Sequence, residues 1–435
     1  MNKNILCAFC LAISSFLLIA QNDKGYNIGF KFDNITDKTL YIVGYYGNDY
    51  YLLDSAKVKK NKITFKSNEN HLPTGFYQLA NKKGDTYLEF IVEKSRYFTI
   101  STALKNPYFN AIINNSEENQ IFFEYMKHQI TNDGTLDPFV DNLLSMSGNT
   151  LLGVYLKTTR YKFEAPSFDE IKGEEAKSLR QYLYFKDHFF DNIDFSDPRI
   201  LRMPIDYGVG YFFTEIVIKN VDSLRKETEN FIHFTSQNQE VKNYFLRELY
   251  FIFHNGDPTF DIMLVYLYDN YCPGGECDWL EELLQRRFTR DYKRKSMLIP
   301  GKKVPFLEAV DIHGKKHSTE NIPNKYIILW FWDPDCEDCL EQTPVLNDFY
   351  IVYKEMYDVE VFAVSITEDV ERWDHFVQEN HLEWVNVSYG MGDPNYSFVD
   401  YFDLLTTPAI YLIDKDHIII ERMFSLDDLH SFFEE

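Results

Sequence analysis

Past its first twenty residues the chain has no stretch of eighteen consecutive apolar residues, so nothing there reads as a membrane-spanning helix. Basic residues are scarce: 44 Lys and Arg stand against 67 Asp and Glu, a formal net charge of −23. That balance argues against nucleic acid and anionic membrane surfaces as partners. Cysteine is scarcer still, with six in 435 residues, two of which (Cys7 and Cys10) lie near the start. His188 and His254 have no partner at metal-ligand spacing. Both read as structural or surface residues, and no metal or other cofactor is expected.

What the chain does have is material to bury. A hydrophobic fraction of 45% and an aromatic fraction of 17% argue against disorder beyond short linkers. The length predicts two or three domains. MNKNILCAFCLAISSFLLIA at residues 1–20 combines Lys3, a short apolar run and small Ala20, the pattern of a cleavable secretory signal. Cys7 and Cys10 lack the small residues that lead into a lipid-anchor cysteine. The expected mature protein is therefore exported, periplasmic or in the cell envelope, with no integral span. In such a compartment the remaining cysteines, Cys272, Cys277, Cys336 and Cys339, are disulfide candidates before they are metal ligands.

The acidity is unevenly placed. Residues 301–435 carry nine Lys and Arg against 28 Asp and Glu, and the rest of the chain is nearly balanced. A segment this acidic suits solubility and, more sharply, a basic partner surface.

Three patterns follow one another along the chain. YNIGFKF, TLYIVGYY, KITFKS, GFYQLA, TYLEFIV and YFTIS are short runs rich in aromatic and β-branched residues, separated by turn-prone DNITDK, KVKKN and NKKGD. They predict a small β-rich, sandwich-like domain at 21–112. Apolar residues at helical spacing in SEENQIFFEYMKHQ, EEAKSLRQYLYFKDHFF, NYFLRELYFIF and DIMLVYLYDNY predict an α-helical domain at 113–298. From 299 to 435 strand and helix alternate: KYIILWFW, LEQTPVLNDFYIVYKEM, VEVFAVSI, VERWDHFVQEN, then AIYLID and HIIIERM. That alternation predicts an α/β layer with a mainly parallel sheet.

Two cysteine pairs stand out. In CPGGEC, Pro-Gly-Gly lets the chain reverse and brings Cys272 and Cys277 within bonding reach. A local structural disulfide, two free thiols and a second redox pair all fit that spacing. In DPDCEDC, Cys336 falls just after the apolar strand, at the first turn of the next helix. The helix dipole and unpaired N–H groups stabilise a thiolate there, which makes Cys336 the attacking sulfur and Cys339, one turn on, the resolving one. Asp333, Asp335, Glu337 and Asp338 crowd this pair. Two or three carboxylates raise the thiol by on the order of one to two pH units, at about 1 kcal/mol each. The helix terminus opposes them by roughly 0.3–2 kcal/mol. The near cancellation predicts a thiol close to its free value and a pair that leans toward reduction. In TTPAIYLID, Thr407 and Pro408 precede a strand; a cis bond there would leave the backbone before Pro408 free to pair with a bound peptide.

FWDPDCEDC, the helix proline of EQTP and TTPAIYLID together resemble the thioredoxin-fold domain of the TlpA-like thiol–disulfide oxidoreductases. The likeness spans about residues 300–435. Upstream, YFKDHFFDNIDFSDPRILRMPI and YLYDNYCPGGECDW resemble the accessory region, and the N-terminal strands the small β domain, of exported Gram-negative bacterial proteins built this way. The resemblance implies exchange or reduction of disulfides in envelope proteins, fed by an upstream thiol electron donor. Cys336 would be nucleophilic, Cys339 resolving and Pro408, with Thr407, substrate-positioning. The sequence departs from the family at Asp335, where thioredoxins usually carry Trp, and at Glu337-Asp338, where a neutral or basic dipeptide is usual. Gln342 stands where TlpA-like proteins often have Glu, and an amide cannot relay a proton as a carboxylate does. Glu341 is adjacent but points about 100° away around the helix. Three other readings compete: a zinc site, for which no histidine lies nearby; a peroxidase, whose T-x-x-C pattern would need Thr where Asp333 stands; and a non-enzymatic adaptor or envelope-assembly module.

Overall fold

The computed structural model describes residues 25–131, 138–159, 163–391, 401, 402, 404, 407–423 and 426–434; the expected leader at 1–20 lies outside them. The chain forms two compact units. One comprises residues up to Val217 together with Thr228–Leu246, the other Ile218–Glu227 with Arg247–Glu435. The helical stretch expected at 113–298 thus contributes to both.

The first unit begins with eight strands: β1 (Tyr26–Phe32), β2 (Thr39–Tyr46), β3 (Asp49–Lys57), β4 (Lys62–Ser67), β5 (Gly75–Ala80), β6 (Thr86–Val92), β7 (Tyr97–Thr102) and β8 (Ile112–Asn114). They make two four-stranded sheets, ordered β4-β1-β7-β8 and β3-β2-β5-β6. Period-two patterning explains why they face each other. Along β1, Tyr26, Ile28, Phe30 and Phe32 are buried while Asn27 and Lys31 are exposed, so one face must be covered. Phe30 meets Phe90 of the other sheet with ring centroids 5.3 Å apart. Helices α1 (Glu117–Thr131), α2 (Pro138–Ser147) and α3 (Leu151–Thr159) add Phe122, Leu143 and Leu156 to the same core. Then come α4 (Glu174–Asp187), the one-turn α5 (Val209–Tyr211), α6 (Val221–Thr235) and α7 (Gln239–Phe253).

In the second unit, α8 (Pro258–Tyr271) and α9 (Glu282–Lys295) precede a seven-stranded sheet. Its strands are β9 (Glu308–Val310), β10 (Lys316–Ser318), β11 (Tyr326–Trp332), β12 (Val359–Ser365), β13 (Val385–Ser388), β14 (Ala409–Asp414) and β15 (Ile419–Met423). Their order is β10-β9-β13-β12-β11-β14-β15. This sheet is mixed, which corrects the expected mainly parallel one: only β11–β12 and β12–β13 are parallel. A tight turn accounts for one of the four antiparallel pairings, β14 with β15. Asp414 accepts the N–H groups of Asp416 and Ile418, and His417 sits at φ 64°. β15 must therefore fold straight back on β14.

β11 is buried on both faces. Ile328, Trp330 and Trp332 face one core, with α10 (Glu337–Tyr357), α11 (Val370–Glu379) and α12 (Leu426–Glu434); Ile327, Leu329 and Phe331 face the other. Helices α8 and α9 are tied to this sheet by charge. Asp261, 3% exposed, lies 2.6 Å from the Lys295 ammonium and is bonded by the Arg422 guanidinium of β15. Beyond α8, Cys272 and Cys277 are joined in a buried disulfide. Gly274 and Gly275 of its loop take φ values of 67° and 86°, open to glycine without steric cost.

Removing one member of a buried charge cluster strands the others and costs about 3–5 kcal/mol. Asp261→Ala should destabilise the second unit by that amount in urea unfolding followed by tryptophan fluorescence. The probe is specific, because all five tryptophans fall between residues 279 and 384 of this unit.

Candidate active site

The site forms where β11 ends. Its last residue, Trp332, is locked in the core, and the chain then turns through Asp333-Pro334-Asp335 into α10. Asp333 builds this turn: its carbonyl accepts the Cys336 N–H at 3.0 Å and its carboxylate accepts the Asp335 N–H at 2.8 Å. Cys336 is the N-cap of α10, and its sulfur accepts the Cys339 N–H at 3.3 Å. A sulfur in that position satisfies one of the orphan donors of the helix and gains from its dipole when ionised.

Cys336 is half-buried and Cys339 fully buried; both are free thiols. The Cys336 Sγ–H donates to the Thr407 carbonyl at 3.2 Å, and the Thr407–Pro408 peptide bond is cis. The backbone just before Pro408 thus meets the outer sulfur directly. Cys339 lies in the core beside Trp332 and Trp373. Burial pushes its thiol up to about 12, helped by the neighbouring Cys336 sulfur and opposed by hydrogen bonding from the Asp333 backbone and the Thr407 side chain.

Asp335, Glu337 and Asp338 are all solvent-exposed. Gln342 is half-buried one turn beyond Cys339, with its Oε1 enclosed and without a hydrogen-bond partner. Glu341 is exposed, as its helical angle requires. Burial raises the Glu360 carboxyl above its usual range, but it stands five positions along β12 from Ser365, which pairs with Trp332 at the cysteine end. At about 3.3 Å per residue that is roughly 16 Å, too far to serve Cys339. Cys272 and Cys277 occupy the loop between α8 and α9, bonded to each other and away from α10 in the chain.

One contact was not anticipated from sequence. Arg372, on α11, pairs with Asp335 at 2.5 Å and donates to the Pro334 carbonyl at 3.3 Å. The available signal was rarity, since few basic residues occur in this acidic segment. Among the described residues no cluster of three or more His, Cys, Asp or Glu side chains is arranged to hold a metal ion. No helix among them is long and apolar enough to cross a membrane.

Known proteins resemble parts of this chain. Residues 324–419 match a family model described as thioredoxin-like, and residues 26–122 match a domain of unknown function, DUF4369. The thiol-disulfide oxidoreductase ResA of Bacillus thuringiensis subsp. konkukian is 28% identical over 141 residues, which is 32% of this chain and 76% of that protein. The ResA of Geobacillus kaustophilus is 25% identical over 129 residues, 30% of this chain and 71% of that protein. Among solved structures, a domain of a possible thiol-disulfide isomerase from Cytophaga hutchinsonii has 29% identity, covering 31% of this chain and 91% of its own, with a TM-score of 0.29. A thioredoxin-like protein from Bacteroides caccae covers 63% of this chain and 98% of its own, at 16% identity and a TM-score of 0.47.

The asymmetry between the two sulfurs sets two outcomes. In the folded, reduced protein at pH 8, iodoacetamide should label Cys336 and spare Cys339, which labels only after denaturation; mass mapping of both peptides checks this. The Cys339 thiol ionises later in the folded chain than in the unfolded one. Its contribution to the stability of the reduced form is therefore complete below pH about 9 and lost as pH rises toward about 12.

Proposed function

Residues 324–419 of this chain are a thioredoxin-like domain, and its relatives are thiol–disulfide oxidoreductases; we propose that the protein is an exported enzyme that reduces or exchanges disulfides of envelope proteins through Cys336 and Cys339. The observation that carries the reading is the paired placement of the sulfurs. Cys336 is accessible at a helix N-terminus and bonded to the Thr407 carbonyl, while Cys339 is sealed beneath it.

The Cys336 thiolate attacks one sulfur of a substrate disulfide. A Cys336–substrate bond forms, the substrate S–S bond breaks, and the departing substrate sulfur takes up a proton. Cys339 then loses its proton and attacks the Cys336 sulfur, forming the Cys336–Cys339 disulfide and releasing the second substrate thiol. Two electrons have passed to the substrate, and an upstream thiol donor must return them. Pro408 has no N–H, so a substrate strand laid along this loop pairs with the backbone of Thr407. Burial makes the Cys339 thiol hard to ionise, which places the slow proton transfer in the resolving step. Gln342 can hold a hydrogen bond there but cannot accept the proton. The leader-like pattern at residues 1–20 supports export.

The acidic rim of Asp335, Glu337 and Asp338 favours basic clients. Disulfide exchange with a basic peptide should outpace a matched acidic one about three- to tenfold at low salt, and the two rates should converge in 1 M salt. Cys339→Ser should accumulate a mixed disulfide between Cys336 and its client, identifiable by diagonal electrophoresis, and Cys336→Ser none. Full retention of cellular function by both variants would instead make the domain an adaptor.

A further inference from the structure

α11 starts under an Asp369 cap, whose carboxylate accepts the Arg372 N–H at 3.0 Å. Trp373, 1% exposed, packs into the core that holds Trp332 and Cys339. Burial of that ring fixes the rotation of the helix, and the rotation delivers Arg372 to the cysteine loop. There its two nitrogens divide the work: one meets the Asp335 carboxylate at 2.5 Å, the other the Pro334 carbonyl at 3.3 Å. The planar fork of a guanidinium suits this double contact.

Both side chains are about half exposed, so the pair adds little to folding stability. Its effect on the adjacent sulfur is another matter. The charged groups around Cys336 are Asp333 and Asp335 on the loop, Glu337 and Asp338 in the first turn of α10, and Arg372 from α11, whose own start carries Glu368, Asp369 and Glu371. Cys339 beneath and the Thr407 carbonyl complete the surroundings. In this acidic setting Arg372 is the cation paired with the loop, and it neutralises the carboxylate directly before Cys336.

We propose that Arg372 is a positioning residue for disulfide exchange: acting through Asp335, it holds the Pro334-Asp335 turn and cancels the charge that would otherwise oppose the Cys336 thiolate. The proposal rests on reading Cys336 as the attacking sulfur, and it sharpens the picture of the acidic rim. Asp335 faces the cysteine as a compensated charge, which leaves Glu337 and Asp338 as the unbalanced part.

The test is the rate of Cys336 alkylation by neutral iodoacetamide against pH. It uses the full-length reduced protein at low salt, with the adduct located by peptide mass mapping. Arg372→Ala should move the profile up by about half a unit to one unit, a roughly three- to tenfold slower reaction at pH 7. Arg372→Lys should recover at least part of the loss. Adding Asp335→Asn to Arg372→Ala should return the profile to that of the parent, and 1 M salt should shrink the shift. A purely structural role would lower the melting temperature of Arg372→Ala without giving this rescue. Superimposable profiles for the parent and Arg372→Ala, or a shift that Asp335→Asn fails to correct, would overturn the proposal. Because alkylation needs no client, absence of a trapped mixed disulfide in Cys339→Ser would defeat the redox reading alone.

Discussion

The burial of β11 on both faces is the constraint on which the geometry of the cysteine pair depends. Ile327 to Trp332 alternate between two cores and are fully enclosed. Side chains of this size contribute roughly 1.5–3 kcal/mol each when buried, against about 0–1 kcal/mol for an exposed ion pair. The position of Cys336 is therefore set by hydrophobic packing upstream of it, and the acidic loop adjusts to that position. With Trp332 fixed, Asp333 can close the turn through two short hydrogen bonds, and Cys336 arrives at the start of α10 with no freedom to drift.

Two sulfurs one helical turn apart are thereby given opposite environments. One caps the helix beside solvent and the Thr407 carbonyl. The other shares a core with four tryptophans. The same chemical group is thus reachable from outside at one position and enclosed at the other.

Much of this was legible in the sequence because the signals are local. Alternation in YNIGFKF marks a half-buried strand, an unbroken apolar KYIILWFW marks a doubly buried one, and a cysteine after such a strand marks a helix start. Pro408 was legible for the same reason. Less visible was anything depending on pairing across the fold. β14 runs antiparallel to β11, and nothing within the run AIYLID tells which way it lies against that neighbour. The Arg372–Asp335 contact joins two elements through the rotation of α11, which is set by one tryptophan. Nothing in DIMLVYLYDNY marks Asp261 as the centre of a charge cluster, because its partners Lys295 and Arg422 come from distant stretches.

That buried carboxylate bears on how the protein can be divided. A fragment beginning at residue 299, the natural cut by sequence pattern, would carry Arg422 on β15 without its counter-charge and with its flank laid bare to water. Such a cut separates Arg422 from Asp261 on α8 and Lys295 on α9, the two side chains that share its charge cluster. The helix pair α8–α9 and the sheet thus share one buried charge cluster, and the stretch before residue 299 is joined to the sheet by more than the chain between them.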